Sequence, residues 1–180
     1  MRYGTYDYVV MAMLAAVSAV AYVLLAQLWT ALTAAFGPLG GAFLGLFQFG
    51  HLLAFAILLK PGTAFITSVL TTVGQLLLGD PSGAYVLGWG VIHGAAVEIV
   101  FMATGYRRPG FVTFAIAAGL AGALGQIYSY FVFGWEAALS LFYLSLPILF
   151  VTSAVESGTI AWSVARVVQR ARGTSTSFEQ

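Results

Sequence analysis

The sequence predicts an all-α membrane protein, a single bundle of six transmembrane helices with both termini in the cytoplasm. Three observations predict it. Hydrophobic residues make up 61% of the 180 residues and charged residues only 7%, whereas soluble domains carry about a quarter of their residues charged, so no ordinary water-facing surface can be built. Six apolar stretches follow one another, most of them near the roughly 20 residues that cross about 30 Å of hydrocarbon. All seven Lys and Arg fall on one side of such an arrangement, and the positive-inside rule makes that side cytoplasmic. Arg2 precedes the first span, Lys60 follows the second, Arg107 and Arg108 follow the fourth, and Arg166, Arg170 and Arg172 mark the end of the sixth. Asp80 and Glu136 fall in loops on the opposite side. Residues 1–172 read as one domain, and residues 173–180 as a short disordered cytoplasmic tail of small and polar residues.

Span one, Tyr8–Leu28, is too long for the apolar core of a signal peptide, about 7–15 residues, and is kept as a span. In it Ala12, Ala15, Ala16 and Ala19 follow i, i+3, i+4 and i+7. They form a small-residue face that suits close packing on an internal neighbour or on a partner protein. Span two, Gly40–Leu59, carries Gln48 and His51. Span three, Ala64–Leu78, is short, and its Ser68, Thr71, Thr72 and Gln75 make one polar stripe. The stripe fits either interhelical hydrogen bonding or the wall of a hydrophilic cavity, and Gln75, one turn from the outer end, favours the cavity. Gly79–Gly83 reads as a tight Pro/Gly turn at its entrance.

Span four, Ala84–Gly105, carries the sharpest signal. Trp89 and His93 share a face, about 7 and 14 Å below the outer end, and Tyr85 continues that face upward. Such a ladder suits a flat heterocycle. Gly90 and Gly94 stand at GxxxG spacing, which permits close helix approach. Glu98 is turned about 140° from His93 and is expected to be an interior anchor paired with a buried hydroxyl or Arg. A charge in hydrocarbon costs at least roughly 2.5 kcal/mol, so it needs such a partner. Span five, Phe111–Phe133, adds Gln126 and Tyr130 to the expected binding residues. Span six, Leu139–Val168, is long enough to tilt or to extend into the cytoplasm.

Enzyme signatures are weak. The run GWGVIHG, Gly88–Gly94, lies inside a hydrophobic span, with no strand before it to make a dinucleotide fingerprint. His51 and His93 sit on different helices without HExxH spacing, and no Cys is present to assist a metal or to form a disulfide. No GxSxG elbow occurs. Neither a cofactor, a metal nor a nucleic acid is expected. The rival readings are a small intramembrane enzyme using Glu98 or His93, and a scaffold without a ligand.

Three blocks carry a family resemblance: LLKPGTAFITSVL (Leu58–Leu70), LLLGDPSG (Leu76–Gly83) and VIHGAAVEIVF (Val91–Phe101). Together they resemble the substrate-binding S components of energy-coupling factor (ECF) transporters, of the YkoE-type group related to thiamine and hydroxymethylpyrimidine. The resemblance runs from span one to span six. It implies a six-helix protein that captures a vitamin or its precursor near the extracellular ends. It also implies docking, through Ala12, Ala15, Ala16 and Ala19, on a membrane-embedded T component that carries two cytosolic ABC ATPases. Substrate contacts are then expected from Gln48, His51, Thr71, Gln75, Tyr85, Trp89, His93, Gln126 and Tyr130. The chain departs from the group where Ser68 and Gln75 replace common acidic residues and His93 replaces a common Gln. Those changes favour a neutral pyrimidine or another small heterocycle over the thiamine cation.

Overall fold

A computed structural model of the chain describes residues 3–106 and 109–171. Arg2, Arg107, Arg108, Arg172 and the expected tail lie outside the described residues. All the regular structure among the described residues is helical: α1 (Thr5–Phe36), α2 (Pro38–Gly41), α3 (Phe49–Leu58), α4 (Thr63–Leu77), α5 (Val86–Ala103), α6 (Phe111–Phe133), α7 (Leu139–Ser153) and α8 (Thr159–Ala171). Four stretches are long and apolar enough to cross a membrane: Thr5–Phe36, Gly83–Ala103, Phe111–Phe133 and Trp135–Ala171. Gly45–Leu58 and Thr63–Leu77 are apolar but shorter. The outer surface is itself apolar, with Leu24, Leu77 and Phe131 among its most exposed side chains.

The second expected span is not continuous. After the single turn of α2 the chain leaves helical geometry and re-enters it through a 3₁₀ turn, Gly45–Gln48, before α3. Close approach explains the break. A Cβ on Gly45 would lie 2.4 Å from the backbone N of Ser153, so that position admits only glycine, and one on Gly41 would lie 2.1 Å from Nε1 of Trp29, which would have to shift. The last stretch is irregular as well: Pro147 lies inside α7, and a π-helical segment, Ala154–Gly158, joins α7 to α8. Pro removes one backbone donor and a π segment inserts an extra residue, two recognised causes of a helix bend.

Helix α4 packs between α1 and α5, α5 continues to α6, and α6 to α7. The α4–α5 contact runs through the GxxxG pair: a Cβ on Gly90 would meet Oγ1 of Thr72 at 2.1 Å, and one on Gly94 the Cα of Phe65 at 2.8 Å. At one end of the bundle the start of α1 is tied to the α3–α4 turn. Lys60 Nζ donates to Asp7 Oδ2 at 2.6 Å, and the Tyr3 hydroxyl to the Pro61 carbonyl. At the other end Trp29 of α1 lies 6.2 Å from Trp135, centroid to centroid.

Each core helix changes character at the same level. Toward the Lys60 end, Leu52, Phe55, Ala64, Ala96, Phe101, Phe114, Ala118 and Ala121 form a dry cluster. Phe55 stacks on Phe101 at 3.8 Å, and Phe114 meets Phe101 edge-on at 5.2 Å. Toward the other end the inward positions of the same helices become Gln48, His51, Ser68, Thr71, Gln75, Trp89, His93 and Gln126. There the bundle opens into a cavity.

Candidate functional site

The cavity is open at one end, and its empty space together with the adjoining open solvent comes to about 730 Å³. Its floor is a pair of imidazoles. His51 of α3 and His93 of α5 are stacked with their rings 6.2 Å apart, both buried, directly above the aromatic cluster. His93 also sits over α6, because a Cβ on Gly125 would fall 2.1 Å from its Nε2. Beside them Gln48 ends the 3₁₀ turn, so the break in the second span is what directs this side chain inward. Two floor atoms, Gln48 Oε1 and His51 Nε2, are buried without a hydrogen-bond partner. Ser18 Oγ, Thr63 Oγ1, Thr67 Oγ1 and Ser153 Oγ are likewise buried without a partner, but Gln48 and His51 both line the cavity.

One wall is the polar stripe of α4. Ser68, Thr71, Thr72 and Gln75 are all buried and all line the cavity. The Thr71 hydroxyl donates to the Thr67 carbonyl at 2.8 Å and that of Thr72 to the Val69 carbonyl at 3.0 Å. Both therefore satisfy their own helix and present methyl groups and lone pairs to the cavity. The facing wall is Trp89 of α5. Its indole N–H is shared between the Gly125 carbonyl and Ser129 Oγ, each at 3.2 Å. Tyr128 edge-on at 4.9 Å and Phe133 at 5.9 Å hold the ring. Gln126 lines the same space, but its amide donates to the Pro38 carbonyl at 2.9 Å and to Ser145 Oγ at 2.8 Å, which leaves its carbonyl for the interior.

Seven of the nine expected contact residues thus meet here: Gln48, His51, Thr71, Gln75, Trp89, His93 and Gln126. Tyr85 does not line the cavity. It is 61% exposed and lies in the 3₁₀ turn Gly83–Tyr85, ahead of the helix that carries Trp89 and His93. Tyr130 is absent from the lining too, and its ring packs 4.8 Å from Phe142 of α7. Glu98 faces away. Its Oε1 accepts from the backbone N–H of Ala64 at 2.9 Å and of Phe65 at 3.4 Å, and its Oε2 from the Tyr106 hydroxyl at 2.9 Å. It therefore caps the N-terminus of α4 from the neighbouring helix. Burial, reinforced by the bond to Glu98, pushes the Tyr106 phenol up to about 12, so it stays a donor.

Residues not expected at the site complete it. Tyr22, Ala26 and Trp29 close the α1 side, and Ser82 and Asp80 come from the α4–α5 loop. Asp80, expected in an outer loop, is only 6% exposed. Its N–H donates to the Gln75 carbonyl at 3.0 Å, so the loop turns back over α4 and carries the carboxylate inward. The tight turn of Gly79–Gly83 was visible in the sequence, but the direction of its side chains was not. Among the described residues no group of three or more His, Cys, Asp or Glu is placed to hold a metal ion.

The alanine face of α1 divides. Ala15 and Ala19 are buried, and a Cβ on Gly74 of α4 would lie 2.8 Å from that of Ala19. Ala12 and Ala16 are exposed.

Comparison with known proteins then places the chain. The family described as "ABC-type cobalt transport system, permease component" matches residues 6–124. A curated relative from Bacillus subtilis (strain 168), which carries the name HMP/thiamine permease protein YkoE, is 29% identical over 162 residues, covering 88% of this chain and 81% of the relative. A crystal structure of an S component of an ECF transporter superposes with a TM-score of 0.87 at 24% identity, covering 99% of this chain and 91% of the other.

Proposed function

We propose that this chain, which belongs to the family of permease components of ABC-type cobalt transport systems and has the fold of an ECF S component, captures thiamine or a related pyrimidine for ATP-driven uptake. It is a multi-pass membrane protein of a transport family, not an enzyme. In the bilayer the two shorter apolar stretches complete six spans. Both termini then lie in the cytoplasm with all seven basic residues, and the Asp80 end of the cavity faces outward. The energising partners are a membrane-embedded T component and two cytosolic ABC ATPases.

The observation that carries the substrate class is the floor of the cavity, where Gln48 Oε1 and His51 Nε2 are buried and unpartnered between aromatic and polar walls. A nitrogen heterocycle offers both a flat face for Trp89 and ring or amino groups for those atoms. The HMP and thiamine in the relative's name are ligands of this chemistry.

Two of the four tryptophans, Trp29 and Trp89, line the cavity, so their fluorescence reports occupancy. Titrating the purified chain in detergent with thiamine and with 4-amino-5-hydroxymethyl-2-methylpyrimidine should give saturable quenching by at least one of them. No change with either compound up to millimolar concentration rejects the proposal.

A further inference from the structure

The α4–α5 loop places a carboxylate where electrostatics alone would not. Asp80 lies at the C-terminal end of α4, where the helix dipole is negative and an anion is disfavoured. Its carboxylate nevertheless lines the cavity at 6% exposure. Oδ2 accepts from Gln75 Nε2 at 3.1 Å and Oδ1 from the Ser82 N–H at 2.9 Å. Both donors are neutral, whereas a carboxylate offers about four acceptor positions. Among the described residues no Lys or Arg lines the cavity, and the ion pair they form is Lys60 with Asp7, at the opposite end. A buried carboxylate whose donors are both neutral suits a cationic partner.

The floor makes a different demand. Gln48 Oε1 is a buried acceptor without a donor, and an amino group satisfies it. Along α4, Ser68 and Gln75 line the cavity at successive depths, seven residues apart, a rise of about 10 Å. One six-membered ring with its substituents is shorter than that separation.

We infer that Asp80 is the cation-recognising residue of this cavity. Its carboxylate pairs with the positive end of a two-part aromatic ligand whose amino-bearing ring rests on the floor at Gln48, so the site selects a two-ring monocation over a neutral single-ring pyrimidine. This rests on the cavity being the substrate site, as proposed above.

Asp80→Asn tests it, because the substitution keeps shape and hydrogen bonding. The amide oxygen still accepts from Ser82, and the Gln75 amide can turn to accept from the new NH₂. The probes are thiamine, a two-ring cation, and the neutral 4-amino-5-hydroxymethyl-2-methylpyrimidine, each titrated against wild-type and Asp80→Asn protein. Wild type should bind thiamine at least about tenfold more tightly than the neutral probe, and Asp80→Asn should weaken thiamine binding about 10- to 100-fold. Affinity of the variant for the neutral probe should change by less than about threefold, which also reports an intact cavity. Thiamine binding that survives Asp80→Asn overturns the assignment alone, as does an equal loss for both probes or a wild-type preference for the neutral one. Wild-type protein that binds neither compound overturns the proposed function and this assignment with it.

Discussion

Trp89 spends its indole N–H on α6 and offers its ring to the cavity, so two substitutions separate its tasks. Trp89→Phe should retain most of the ligand affinity, because an aromatic face survives. Trp89→Ala should weaken binding roughly 5- to 150-fold, the equivalent of about 1–3 kcal/mol of stacking. Isotherms unchanged by Trp89→Ala place the ligand elsewhere. Gly125 provides a second test from the opposite helix. A methyl there would lie 2.1 Å from His93 Nε2, so the imidazole, which lines the cavity, must shift. Overpacking of this kind costs about 1–3 kcal/mol. Gly125→Ala is therefore expected to lose ligand affinity by about tenfold or more, as measured by calorimetry, while the protein still elutes as a single folded species.

At the scale of the element, α4 is held at both ends by side chains from outside it. Its first free N–H groups, of Ala64 and Phe65, are received by Glu98, which the Tyr106 hydroxyl holds by donating to its other oxygen, and its last carbonyls lie beneath the loop of Asp80. Charged hydrogen bonds to otherwise orphaned donors are worth about 1.5–3 kcal/mol. Glu98→Ala should thus lower the melting temperature of the detergent-solubilised protein while the folded fraction keeps its ligand affinity. Glu98→Gln, which retains an acceptor but loses the charge, should fall between. A Glu98→Ala protein with wild-type melting and no ligand binding would falsify this capping role. The Tyr106 phenol is raised in the fold, so its contribution is complete below about pH 10 and fades as pH climbs through about 12.

For the whole molecule, the division of the α1 alanines separates folding from assembly. Ala19 is packed against Gly74 inside the bundle, whereas Ala16 is exposed. Ala19→Trp should destabilise the isolated chain, since no space exists for the ring. Ala16→Trp should leave ligand affinity within about twofold, because the exposed site and the cavity share no contacts, but block docking on the T component and hence ATP-driven uptake. Ligand titration of the isolated chain and pull-down of the complex check the two halves. Normal uptake with Ala16→Trp removes α1 as the docking surface.

Composition, period and charge placement are local quantities, and they made the helical membrane fold legible before any coordinates. They also made legible the polar stripe of Ser68, Thr71, Thr72 and Gln75, which lines the cavity. Angular position along one helix brought out Trp89 and His93 together and set Glu98 apart. Tyr85 escaped the same reasoning because it lies ahead of the α-helix that carries Trp89 and His93, and Ala15 parted from Ala16 because a partner helix covers only one edge of a stripe. The stacking of His51 on His93, the seating of Trp29 on Gly41 and the inward turn of Asp80 depend on which helices lie beside one another. Neighbours are chosen by the packing of all the helices at once. A loop carboxylate has no periodicity to reveal its direction, so its place in the cavity emerges only when the chain has closed around it.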